Sequence, residues 1–156
     1  MHQHNLPSEK IDSVIALYSS GKIEEAINAI NLLTNDHPNE PFLMNIIGAC
    51  YVSLREFEKA TKSFKKAIKI KPDYVDAIYN LGNTYRELDQ LDKSIKSYKK
   101  VINISPEHEE AQHNLGVSLY EFGLLFEAIE HFEKALITNP NNTKIQINLG
   151  NILGEL

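Results

Sequence analysis

Residues 75–108 read VDAIYNLGNTYRELDQLDKSIKSYKKVINISPEH, and two features of this stretch decide the fold. Apolar residues recur at spacings of three and four, first as Ile78, Leu81, Tyr85 and Leu88 and then as Leu91, Ile95, Tyr98, Val101 and Ile102, which predicts two amphipathic helices joined by a turn at Asp89-Gln90. The stretch also repeats. Prolines stand at Pro38, Pro72, Pro106 and Pro140 and glycines at Gly48, Gly82, Gly116 and Gly150, every step in both series being 34 residues. A fixed period of this length predicts a stack of helix pairs, each burying its stripe against its neighbours, in place of one closed core.

Set on this period, the chain divides into a divergent unit 7–40, units 41–74, 75–108 and 109–142, and residues 143–156 as the first helix of an incomplete fifth unit; residues 1–6 are expected to be a flexible tail. The first unit has Val14 where the helix glycine belongs and Ser13 for the leucine before it, while Leu17, Ala26, Ile30 and Pro38 keep the pattern. Prolines at the unit junctions cannot continue the preceding helix, and Asp76, Glu109 and Glu110 open the next one, where the helix dipole favours acids. A glycine inside a helix costs about 1 kcal/mol relative to alanine, so a recurring one needs a packing reason. The expected reason is a close crossing within each helix pair, with Gly48, Gly82 and Gly116 facing the small residues Ala60, Ser94 and Ala128. Phe64, Tyr98 and Phe132 would then fill the space toward the next unit.

Composition narrows the function. A net charge of -5 and a pI near 5.7 argue against general nucleic-acid binding, which needs a basic footprint on the phosphates. Twelve of the sixteen Lys and Arg lie between Arg55 and Lys100, many on second helices (Lys59, Lys62, Lys65, Lys66, Lys69; Lys93, Lys96, Lys99, Lys100), and read as a solvated outer face. Cys50, the single cysteine, sits between apolar neighbours and reads as a packed small side chain. No run reaches the ~18 apolar residues of a membrane span, so no membrane partner is expected and a cytoplasmic location is the default. The string His108-Glu109-Glu110-Ala111-Gln112-His113 imitates a zinc motif, but its histidines are five apart and do not share a helix face. His2 and His4 could take up stray metal only through a tail. With no phosphate loop and no paired nucleophile and base, the chain is expected to be non-catalytic and to need no cofactor.

The order Ile47, Gly48, Tyr51, Ala60, Phe64, Ala67, Pro72, followed by Leu81, Gly82, Tyr85, Ser94, Tyr98, Val101, Pro106 and by Leu115, Gly116, Leu119, Ala128, Phe132, Ala135, Pro140, resembles the tetratricopeptide repeat. The resemblance implies an all-α, right-handed superhelical solenoid of antiparallel helix pairs, whose first helices line a concave groove. Met44 and Ile78 stand where the family has a large residue early in the first helix, but Gln112 and Gln146 follow at the same place, so those joints are expected to pack differently. The groove would present Asn45, Tyr79, Asn80, Asn83, Arg86, His113, Asn114, Tyr120, Asn148 and Asn151 to a protein or peptide. Asn80, Asn114 and Asn148 stand two residues before successive glycines and resemble the asparagine ladder of the O-GlcNAc transferase repeats, in which amides grip the backbone of an extended peptide. The bland alternative is that Asn-Leu-Gly is simply the repeat's common spelling. A carboxylate clamp is the other family mode, and Asn83, Asn114 and Lys144 suit it. Tyr79 and Asn148 stand where its remaining cations belong, which leaves too little charge.

The final segment carries an apolar stripe of Ile145, Leu149, Ile152 and Leu153, which predicts an open edge for further repeats or for self-association. Three functions follow: a scaffold binding an extended peptide in the groove, a substrate-docking array of a larger glycosyltransferase, sulfotransferase or oxygenase, and a self-assembling module forming a homo-oligomer through that edge.

Overall fold

The computed structural model describes residues 6–155, and among these every regular element is an α-helix. The helices are α1 (Ser8–Ser19), α2 (Ile23–Asp36), α3 (Pro41–Ser53), α4 (Phe57–Ile70), α5 (Val75–Glu87), α6 (Leu91–Ile104), α7 (Glu109–Glu121), α8 (Leu125–Thr138) and α9 (Thr143–Glu155). Of the expected tail, residues 1–5, with His2 and His4, lie outside the described residues. Leu6 packs against the first core.

Each helix pair closes through the same turn. Backbone φ is positive at Gly21 (76°), Arg55 (58°), Asp89 (55°) and Gly123 (86°), one residue per 34-residue period. The next residue then reaches back to the preceding helix, as Lys22 N donates to Leu17 O (3.0 Å), Glu56 N to Tyr51 O (2.8 Å), Gln90 N to Tyr85 O (2.8 Å) and Leu124 N to Leu119 O (2.8 Å). This is the Schellman arrangement, which satisfies the last carbonyls of a helix and needs one left-handed residue. Glycine supplies it freely in two pairs. Arg55 and Asp89 adopt it against their side-chain preference, so the turn is held there by the packing of the helices it joins.

The chain forms two compact units, Met1–Ala77 and Ile78–Leu156. In the first, Val14, Ala26, Ile30, Leu33, Leu43, Met44, Ile47, Cys50, Ala67 and Ala77 make one core. Cys50 is fully buried there, and that burial pushes its thiol up to about 11, so it is a packing residue without thiolate reactivity. In the second unit the core is Ile95, Tyr98, Leu115, Leu119, Ala128, Phe132, Ala135, Ile145 and Ile152.

The aromatic residues sit elsewhere than the sequence suggested. An added Cβ at Gly48 would lie 2.5 Å from Phe64 Cε1, at Gly82 2.8 Å from Tyr98 Cε1, and at Gly116 2.7 Å from Phe132 Cε1. The ring of the second helix therefore lies flat against the glycine of its own pair. The glycine exists to seat an aromatic ring, whereas the expectation was an approach to Ala60, Ser94 and Ala128 with the ring turned to the next unit. Gly150 has nothing within 4 Å, which leaves it without this reason.

Candidate functional site

The candidate groove residues of the second unit lie on the first helix of each pair: Tyr79, Asn80, Asn83 and Arg86 on α5, His113, Asn114 and Tyr120 on α7, and Asn148 and Asn151 on α9. All but Asn151 are half-buried, and Asn151 is exposed. Period and helix phase together bring them onto neighbouring turns, where side chains about one period apart can meet.

They do meet, and they bond to one another. Asn114 Nδ2 donates to Tyr79 Oη and to Asn83 Oδ1, both at 3.0 Å, and Tyr98 Oη donates to the same Asn83 oxygen at 2.6 Å. One register further, Asn148 Nδ2 donates to His113 Nε2 at 3.1 Å. Of the ladder amides, Asn114 and Asn148 thus each bond the residue 35 positions earlier, an aromatic side chain on the preceding first helix. Arg86 Nε lies 3.9 Å from the Glu121 carboxylate, adding a charged tie between α5 and α7. The Tyr79 ring lies 6.0 Å from Tyr98 and 5.0 Å from His108 between centroids, and His113 lies 5.8 Å from Phe132.

Burial sets the ionisation of this face. Tyr98 is pushed up to about 12 chiefly by burial, which keeps its hydroxyl a proton donor to Asn83. Burial, reinforced by the charges of Arg86 and Lys144, holds His113 below its ordinary value, and burial also lowers His131. A neutral His113 presents Nε2 as an acceptor, the role that its bond to Asn148 requires. The neutral rings therefore contribute stability that is fully present above the ordinary histidine value of 6.5 and is lost as pH falls through the lowered folded value. The melting temperature is expected to drop between about pH 7.5 and about pH 5, and H113Q is expected to flatten that dependence. A pH slope unchanged in H113Q would remove His113 from this role.

Four candidate residues behave differently from expectation. Asn45 belongs to the first unit and is buried at 7 % exposure, hydrogen-bonded with Tyr74, so it offers no open surface. Ile145 and Ile152 are fully buried in the second core, and Leu149 packs against it partly buried, because three consecutive turns of α9 face α8. Only Leu153 of the expected open edge is exposed, at 57 %. I152A should accordingly lower stability markedly while L153A leaves it nearly unchanged; urea titration distinguishes the two, and equal effects would contradict this burial.

The joints expected to differ do so through hydrogen bonds that sequence reading did not anticipate. Gln112 Nε2 donates to Pro106 O at 3.3 Å and Gln146 Nε2 to Pro140 O at 2.8 Å, each amide satisfying a carbonyl of the turn before its own helix. Gln112 Oε1 also accepts from His131 Nδ1 at 2.7 Å. His108, the start of the zinc-like string, instead caps α7, its Nδ1 accepting from Ala111 N at 3.3 Å. Among the described residues, no three His, Cys, Asp or Glu side chains cluster as metal ligands, and no helix is long and apolar enough to cross a membrane.

Comparison with known proteins agrees with this architecture. The chain is similar over 95 % of its length to MamA 41-end from Desulfovibrio magneticus RS-1, with a TM-score of 0.88, 21 % identity and 84 % of that chain covered. It is similar over 94 % of its length to YrrB, described as a TPR protein with an unusual peptide-binding site, with a TM-score of 0.82, 20 % identity and 75 % of that chain covered. Over 68 residues, 44 % of the chain, it is 28 % identical to the peroxisomal targeting signal receptor of Candida albicans, of whose length it spans 12 %. Residues 48–89 and 82–123 match the family described as TPR repeat, and residues 109–142 match the tetratricopeptide repeat. The 34-residue period, the helix pairs it produces and these matches from residue 48 to residue 142 establish that the chain belongs to the tetratricopeptide repeat family.

Proposed function

We propose that the chain is a non-catalytic interaction module and that the first-helix face of its second unit holds an extended segment of a partner protein. The observation that carries this reading is the cross-bonding of Tyr79, Asn83, Asn114, His113 and Asn148. Side chains fixed before a ligand arrives lose little rotamer freedom on binding, which favours affinity. Tyr79 and Tyr120 offer flat apolar bodies with polar tips, and Asn151 offers an exposed amide, a combination suited to a peptide backbone and its occasional large side chain. The peptide-binding site named for YrrB and the receptor role named for the Candida albicans protein are consistent with such a function in this family.

The ladder takes a modified role in this reading. Both N–H groups of Asn114 already have acceptors within the protein, so this amide acts mainly by fixing its neighbours. The test is selection of binding peptides from an immobilised library, followed by affinity measurements on Y120A and on the triple variant N80A/N114A/N148A. Loss of about tenfold or more in both supports the face as the site. Unchanged affinity in both places binding elsewhere.

A further inference from the structure

We infer that the first unit carries a second binding site, a cleft between α2 and α4 that accepts an acidic segment of a partner protein bearing a large apolar side chain. The cleft has a volume of about 660 Å³ and is lined by the buried Met44 and Ile47 of α3, by Thr34 of α2 and Ser63 of α4, and by the exposed Lys66 and Lys69 of α4. This volume lies within the range of pockets that bury most of a bound group.

The repeat itself explains why the cleft is open. Two periods along the chain, the places of Thr34, Met44 and Ser63 are taken by Ile102, Gln112 and His131. There His131 reaches across from α8 to Gln112 of α7 at 2.7 Å. In the first unit, Ser63 and Thr34 are short, and their hydroxyls turn back to their own helices, Ser63 Oγ to Lys59 O at 3.0 Å and Thr34 Oγ1 to Ile30 O at 2.8 Å. Neither spans the gap. No side-chain bond like that of His131 and Gln112 is thus made between these two hydroxyls, and Met44 and Ile47 beside them are apolar.

Charge decides the occupant. No carboxylate lines the cleft, and Lys66 and Lys69 have no ion-pair partner among the described residues. Two unneutralised ammonium groups in a cleft also lined by apolar residues complement a ligand that inserts a side chain and carries carboxylates beside it. The lining residues of the cleft all belong to the first unit and include none of the residues of the face proposed above.

The test uses the full chain and a fluorescent, acetylated and amidated peptide in which one phenylalanine is flanked on each side by glutamates. Its counterparts have glutamine or lysine in place of glutamate, or alanine in place of phenylalanine. Saturable binding of the glutamate peptide is expected, with loss of about tenfold or more in K66E/K69E and in the cleft-filling T34I/S63H. The filled variant is built from residue types that the same repeat carries elsewhere, and its circular dichroism melt verifies folding. Binding should persist in N80A/N114A/N148A, which separates this site from the one proposed above. No saturable binding of the glutamate peptide, equal binding of the lysine peptide, or undiminished binding by folded T34I/S63H would overturn the inference.

Discussion

F132A is expected to destabilise the protein by about 3–5 kcal/mol, whereas F126A changes stability by less than about 0.5 kcal/mol. The two phenylalanines lie on the same helix, α8, six residues apart. Phe132 is fully buried in the second core with its ring against Gly116, while Phe126 is 78 % exposed. Removing the buried ring forfeits its transfer from water and leaves a cavity that cannot collapse, because the helices around it are tied by Leu115, Leu119 and Ile145 to the same core. Urea titration of both variants by circular dichroism measures the difference. Equal midpoints would refute the placement of the ring.

The second large effect concerns the glycines that face those rings. G48A is expected to cost about 1–3 kcal/mol even though alanine is the better helix former, because the new methyl would lie 2.5 Å from a Phe64 ring that is itself fully buried. G150A carries the same substitution at the same repeat position and should stabilise by up to about 1 kcal/mol, since nothing lies within 4 Å and only the helical entropy of glycine is relieved. Opposite signs in urea midpoints are the expected result. A double variant G48A/F64L should recover part of the loss, as the smaller side chain frees the space; no recovery would mean that the clash is not with Phe64.

These contrasts show where sequence reading stops. The recurrence of glycine was visible and its need for a packing reason followed from helix propensity, but the partner was misassigned. Small residues opposite a glycine suggested a close crossing, and only the rotamers of Phe64, Tyr98 and Phe132 reveal that the rings lie over the glycines. The candidate face has the same character. Repeat phase placed Tyr79, Asn83, Asn114, His113 and Asn148 on one side of their helices, yet whether their polar groups point to a ligand or to one another depends on distances of a few ångströms across helices.

The expected open edge of α9 divides similarly. Period three and four spacing identified an apolar stripe, and α8 covers Ile145 and Ile152 while Leu153 stays exposed. The cleft of the first unit was not legible at all. Ser63 and Thr34 are unremarkable residues whose hydroxyls bond back to their own helices, and only the fold brings them to one cleft with Met44 and Ile47.

The sequence by itself determined the helix pairs, their period and their turns, since these follow from local spacing, proline and glycine, and capping chemistry repeated every 34 residues. The tertiary structure alone decided which polar groups satisfy each other, which aromatic ring meets which glycine and where space remains. Those outcomes are set by contacts between residues distant in sequence, where a side chain's reach and direction, not its type, determine what it touches.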